Sequence, residues 1–188
     1  MSYRQFSVAT PRKTAYFALL KNFLLSQAFN FLRTKNQLGY IATISPSFVK
    51  GIGGYTTIIQ GNNKNEEYML KKLDEFYLQL LSSFDEISEQ DFIKTKNATL
   101  LVYTQTFKTL RMKQEEEWLR VVGSVDFSIR NKIANEITKS SMQDLRSFLK
   151  DTLDGGRLDV IVGKEGKKVG EELIGEERFA AREEMILF

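Results

Sequence analysis

The sequence contains no histidine and no cysteine among its 188 residues. Histidine is the commonest general base near neutral pH and a frequent zinc ligand, and cysteine is the other main zinc ligand. Without either residue, the chain has no ordinary zinc site and no disulfide framework. We therefore expect either that this chain is no enzyme by itself, or that another polypeptide segment supplies the chemistry.

The chain also lacks a strong charge of either sign and a long uninterrupted apolar run. Its 27 basic and 24 acidic residues leave a formal charge of +3, too small for the field that nucleic-acid binding usually requires. Lys21 and Asn22 interrupt the only long apolar stretch, and the first residues lack the basic-then-apolar order of a signal peptide. We expect a soluble chain with no membrane span, no visible targeting signal and no nucleic-acid partner.

The sequence does contain enough apolar material for one core, with 42% apolar and 12% aromatic residues. This content predicts a single domain over residues 1–163, followed by a charged tail or short helix over residues 164–188. Side-chain alternation and β-forming residues predict strands over residues 4–8, 40–45, 55–60 and 157–163. Pro46 and the glycines up to Gly54 are interpreted as the link between the second and third of these strands.

Helical periodicity separates the predicted strands. Thr10 as N-cap and Pro11 in the first turn begin a helix that runs to about Arg33. Further helices are predicted over residues 66–84, 88 to about 112, 115–122, 129–137 and 141 to a stop at 155. In the helix predicted from residue 88 to about 112, Val102 and Leu110 are expected to face inward. The order of elements predicts an α+β fold, with several helices on one face of a largely antiparallel sheet of about four strands.

The most specific pattern is Gln-Leu-Gly-Tyr at residues 37–40, which follows the helix that ends near Arg33. A planar guanidinium can hold backbone carbonyl oxygens, and a phenol can donate to an oxyanion. Taken alone, Arg33 could equally be a cation at a helix C-terminus, and Tyr40 an ordinary strand aromatic. We expect Gly39 to let the backbone bend, so that Arg33 and Tyr40 face one cavity.

The segment Arg-Thr-x-x-Gln-Leu-Gly-Tyr at residues 33–40 closely resembles one in the C-terminal half of the insulysin/pitrilysin-like zinc metalloproteases, the insulinase family of the inverzincin class. The resemblance covers residues 4 to about 163 and implies the fourth of four similar domains. Asn36 and Ala42 depart from the family, where an acidic residue and valine are common, and neither departure disturbs the contacts proposed for Arg33 and Tyr40.

The resemblance implies a metalloendopeptidase that encloses and hydrolyses peptides. Zinc would be the cofactor, bound by a His-x-x-Glu-His helix and a distant glutamate in the N-terminal half of the same protease. The implied partners are that N-terminal half and a peptide substrate. Arg33 and Tyr40 would serve as both substrate-binding and catalytic residues: Arg33 would hold the substrate main chain, and Tyr40 would stabilise the tetrahedral intermediate.

Two alternatives remain open from the sequence. One is a noncatalytic peptide-binding or structural subunit with the same fold, and the other is a helical interaction module unrelated to proteases. Trp118 is interpreted as a core or interdomain contact, and residues 115–117 as a solvated acidic face, because consecutive helical residues point in different directions. The compartment is not determined: the resemblance leans toward the bacterial periplasm and leaves the cytoplasm open.

Overall fold

The computed structural model of the chain describes residues 1–49, 51–61, 64–122, 126, 128–162 and 173–174. The strands are β1 (Ser2–Val8), β2 (Ile41–Val49), β3 (Ile52–Gln60), β4 (Arg157–Asp159) and β5 (Leu173–Ile174). The helices are α1 (Pro11–Ala28), which continues as a π-helical segment (Phe29–Lys35), α2 (Glu66–Asp85), α3 (Glu89–Thr104), α4 (Leu110–Val122), α5 (Ile129–Lys139) and α6 (Met142–Leu153). Among the described helices, none is long and apolar enough to cross a membrane.

The described strands form one sheet in the order β2-β3-β1-β4-β5, and all neighbours are antiparallel. Helix α1 contacts β2, and α6 contacts β1. The predicted α+β class is therefore confirmed, and all four predicted strands are present, with the last ending at Asp159, earlier than predicted. The two residues of β5 fall within the predicted tail, and the rest of residues 164–188 lies outside the described residues.

The predicted link between the second and third strands was too long. Pro46 lies inside β2, where it is opposite Tyr55 of β3, and the connection reduces to a tight turn at Gly51 with a φ of 76°. Proline lacks an N–H and is excluded from central strands. Its place in β2 is explained by the position of β2 at the edge of the described sheet, which the sequence could not reveal.

The core is centred on Phe17 of α1, which is 1% exposed. Its ring lies 4.2 Å from that of Phe6, 4.1 Å from that of Tyr55 and 5.6 Å from that of Phe148, measured between centroids. These partners come from β1, β3 and α6, so a single aromatic side chain connects the first helix to the sheet and to the last helix. Offset and edge-on aromatic pairs of this kind add about 0.5–1.5 kcal/mol each beyond burial.

Helix α3 is shorter than predicted. It ends at Thr104, where Gln105 adopts an extended backbone with ψ of 147°, and α4 begins only at Leu110. The residues between, which include Thr106 and Thr109, are weak helix formers. Val102 and Leu110, both expected to face inward, are 57% and 81% exposed. The prediction of one continuous helix to about residue 112 was therefore wrong beyond Thr104.

Helix α4 is attached to α3 and α5 through Arg130. Arg130 of α5 donates from Nε to the carbonyl oxygen of Tyr103 at 2.7 Å, and its guanidinium pairs with Glu116 of α4 at 3.1 Å. Within α4 itself, the buried Arg120 also pairs with Glu116. Trp118 is 64% exposed. It is not part of the core of the described chain, and of its two predicted roles the interdomain contact stays a prediction.

Candidate functional site

Arg33 lies in the π-helical segment that extends α1. The wide turn is closed by Asn36, whose backbone N–H and side-chain Nδ2 both donate to the carbonyl oxygen of Phe31, at 3.1 and 2.8 Å. Short π-helical stretches within helices are frequent at functional sites. The Arg33 side chain is exposed, and its guanidinium carbon lies 5.1 Å from the centre of the half-exposed Phe29 ring. The guanidinium is therefore supported by an aromatic face and remains accessible.

Two buried leucines fix the connection between Arg33 and Tyr40. Leu32 and Leu38 are each 0% exposed, and the backbone N–H of Leu38 donates to the carbonyl oxygen of Leu32 at 3.0 Å. Between them, Gln37 has a φ of 49°, in the left-handed region. The connection is thus anchored at both ends by core residues, which fixes the backbone from which the two exposed side chains project.

Gly39 is required for a different reason from the one expected. Its φ is not positive, and the change of direction lies at Gln37. A Cβ added at Gly39 would lie 2.1 Å from the carbonyl oxygen of Gln60, and one added at Gly61 would lie 2.2 Å from that of Leu38. The two backbones therefore touch where β2 begins and β3 ends. Close backbone contact, rather than a flexible bend, explains the glycine.

We expect Gly39→Ala to lower the free energy of unfolding by about 1–3 kcal/mol, because the added methyl must displace backbone rather than a side chain. Gly51→Ala is the contrasting variant: its Cβ would meet no atom within 4 Å, so any cost there comes from its φ of 76° alone. Urea unfolding followed by circular dichroism measures both. A change within about 0.5 kcal/mol for Gly39→Ala, the range of ordinary surface substitutions, would show that the contact is not tight.

Tyr40 immediately precedes β2 and is 73% exposed. Arg33 is also exposed, and no carboxylate among the described residues forms an ion pair with it. The structure therefore places both predicted residues on the surface, at the two ends of one anchored connection, where a peptide can reach them. That their functional groups converge on one cavity stays a prediction.

A cavity of about 430 Å³ lies between α1, β2 and α3, and sequence reasoning did not identify it. Its lining includes Phe17, Lys21, Asn22, Phe48, Val102 and Tyr103. Burial raises the pKa of the Tyr103 phenol above its ordinary value, so this group is neutral at physiological pH. The residues come from three separate elements, and no local pattern in the sequence relates them.

The described residues do not form a site that fits a zinc ion. No group of three or more His, Cys, Asp or Glu side chains within the described ranges could hold a metal. The acidic run on α4 is used in ion pairs: Glu115 pairs with Arg111 at 2.8 Å, and Glu116 and Glu117 pair with Arg120.

Comparison with known proteins identifies the family. Residues 19–118, which include Arg33 and Tyr40, match the model described as PQQ synthase PqqF-like, C-terminal lobe domain 4. The chain is 25% identical to human insulin-degrading enzyme over 152 residues, which cover 80% of this chain and 15% of that protein. It is 25% identical to Protease 3 of Escherichia coli O157:H7 over 138 residues, which cover 72% of this chain and 14% of that protein.

The fold comparison agrees. The crystal structure of pitrilysin matches with a TM-score of 0.69 and 21% identity, over 94% of this chain and 20% of that one. The chain thus spans a fifth or less of the length of these proteins. On the strength of the family match and these similarities, the chain belongs to the PqqF-like family of C-terminal lobe domain 4, which is a C-terminal region of the insulinase-type zinc proteases.

Proposed function

We propose that this chain is the non-zinc-binding C-terminal part of a zinc metalloendopeptidase that encloses and hydrolyses peptides. Its membership of a C-terminal lobe family supports this role, as does its similarity to one part of much longer proteases. Zinc would be bound by the N-terminal half of the same protease, because this chain has neither histidine nor cysteine. The partners of this chain would be that half and the peptide.

Arg33 would bind the main chain of the peptide. Its fork of N–H groups is planar and suited to backbone oxygens, and its charge is not neutralised by any carboxylate in the described part of the chain. The contact with the Phe29 ring restrains the guanidinium without covering it. Less conformational freedom is therefore lost when the peptide binds.

Tyr40 would donate a hydrogen bond from its phenol to the carbonyl oxygen at the bond being cut, where negative charge develops. The observation that carries the proposal is the fixed and exposed position of this residue: it lies between the buried Leu38 and strand β2, beside the contact of Gly39 with Gly61. A donor whose backbone is held by packing has less freedom to lose than one on a free loop, and this favours oxyanion stabilisation.

The test is to replace Arg33 by Lys in the assembled protease, which consists of this chain and its zinc-binding part. We expect kcat/KM for peptide hydrolysis to fall about 10- to 100-fold, because the charge remains but the bidentate geometry is lost. Lys35→Ala is the matched control, since it removes an exposed cation from the same helix end, and hydrolysis should be unchanged. Steady-state cleavage of a fluorogenic peptide measures both variants.

Three other results would contradict the proposal. Unchanged hydrolysis by Arg33→Lys would reject the role of the guanidinium. An equal loss in Lys35→Ala would show that the effect is not specific to the guanidinium of Arg33 and follows from any change of a cation at this helix end. If the wild-type assembly binds peptide but never cleaves it with zinc present, the alternative of a noncatalytic peptide-binding subunit with the same fold would replace the protease assignment.

A further inference from the structure

The cavity between α1, β2 and α3 is suited to an apolar side chain. Phe17 forms part of its buried wall, and the mouth carries Phe48 and Val102, which are 47% and 57% exposed. Its volume of about 430 Å³ lies within the usual range of ligand pockets. Lys21 and Asn22 contribute the polar groups of the rim. Exposed apolar side chains around an open cavity are a marker of a binding site.

Helix α1 connects this cavity with Arg33. Asn22 lines the cavity, and the exposed polar residues Ser26, Asn30 and Arg33 follow it along α1 and its π-helical continuation. Eleven residues separate Asn22 from Arg33, which corresponds to about 16 Å along a helix. The cavity and the proposed site therefore lie at different heights along one continuous helix.

Strand β2 also connects the proposed site with the cavity. Tyr40 immediately precedes the strand, and Pro46 and Phe48 of the strand line the cavity. The six residues from Tyr40 to Pro46 span about 20 Å in extended conformation. Within the described sheet, β2 is the edge strand, so one side of its backbone has no strand partner. An extended peptide can run beside such an edge.

We propose that this cavity binds an apolar side chain of the substrate, located about five or six residues from the bond that is cut at Arg33 and Tyr40. The inference rests on the proposed function and specifies its substrate class: extended peptides with a large aliphatic or aromatic residue at that separation. An extended peptide advances about 3.4 Å per residue. The estimated spans of about 16 Å along the helix and about 20 Å along β2 therefore correspond to about five and six peptide residues. A substrate side chain is the proposed occupant because α1 with its π-helical continuation and strand β2 both run from the proposed site to the cavity.

The experiment uses peptides with a fixed cleavable bond and a single Phe or Ser placed three to eight residues from it on either side. We expect a preference for Phe over Ser of about 10- to 100-fold at the fifth or sixth position, in kcat/KM and in Kd. The Kd is measured by fluorescence anisotropy on the assembled protease stripped of metal by a chelator, so binding is read without cleavage.

Val102→Trp should fill the cavity and reduce this preference to near unity. Leu101→Trp is the matched control, because Leu101 is the adjacent residue of α3, is 64% exposed and does not line the cavity. Ala98→Phe is a second filling variant at an exposed lining position, should Val102→Trp fail to fold.

Several results would overturn the inference: no position-dependent preference in Kd, an equal effect of Leu101→Trp, or loss of assembly with the zinc-binding part in both filling variants. The last result would show that a neighbouring part of the protease fills the cavity. Failure of the proposed function is distinguishable from failure of this inference. The former would appear as hydrolysis that does not change when Arg33 or Tyr40 is replaced. The preference in Kd does not depend on the role of either residue in cleavage.

Discussion

Replacing Tyr40 by Phe in the assembled protease is expected to lower kcat/KM for peptide hydrolysis by about 10²- to 10³-fold. The substitution removes only the phenolic oxygen. Because Tyr40 is 73% exposed, it removes no buried contact, and the fold should be unaffected. If the hydrogen bond is made mainly as charge develops on the carbonyl oxygen, the loss will appear in kcat, with little change in KM.

The control for this variant is Tyr68→Phe, at a tyrosine on α2 that is 37% exposed and lies outside the proposed site. Its hydrolysis should equal that of the wild type. Steady-state kinetics on one peptide, with circular dichroism to verify folding, compares the two variants. Unchanged kcat/KM in Tyr40→Phe would reject the catalytic role of Tyr40, and a rise in KM alone would indicate that the phenol serves only in binding.

Replacing Phe17 by Ala is expected to lower the free energy of unfolding by about 3–5 kcal/mol. Phe17 is 1% exposed and contacts aromatic rings from β1, β3 and α6. Deleting the ring leaves a void that these fixed elements can fill only in part. The loss is comparable to the whole stability of many domains, so the variant should be largely unfolded at physiological temperature.

Phe29→Ala is the comparison for Phe17→Ala. Phe29 belongs to the same continuous helix but is 45% exposed, so its removal should cost much less. Urea unfolding of both variants, monitored by circular dichroism, gives the difference in the free energy of unfolding. Similar costs at the two positions would mean that the aromatic cluster around Phe17 is not the centre of the core.

Local sequence chemistry predicted the parts of the fold that depend on local interactions. Thr10 caps α1 by accepting from the backbone N–H of Lys13, and Ser141 and Asp144 form the predicted capping box of α6. These signals lie within one helical turn, where the partner of each hydrogen bond is fixed by spacing. The α+β order of elements followed from the same kind of evidence.

The errors arose where distant parts of the chain decide the structure. Pro46 was placed in a link because the edge position of β2 depends on which strands pair. The role of Gly39 was misassigned because its partner, Gly61, lies 22 positions away. Val102 fits an inward helical pattern, yet it is exposed at the mouth of a cavity formed by three elements. Periodicity gives the face of a helix but not what covers that face.

The candidate site was only partly accessible to sequence reasoning. The motif at residues 33–40 selected Arg33 and Tyr40, and the structure adds that both are exposed and that Leu32 and Leu38 anchor the connection between them. The cavity was missed because its lining residues are far apart in the sequence and individually resemble ordinary core or surface positions.

The contact between Gly39 and Gly61 determines with which part of the molecule Tyr40 moves. Since no side chain separates the two backbones, a displacement at the end of β3 is passed directly to the residue before Tyr40. The phenol is thereby coupled to the sheet on two sides, through its own strand and through the neighbouring one. A homologous sequence with a larger residue at either glycine would have to separate the two chains, and the hydroxyl would then occupy a different position relative to the rest of the sheet.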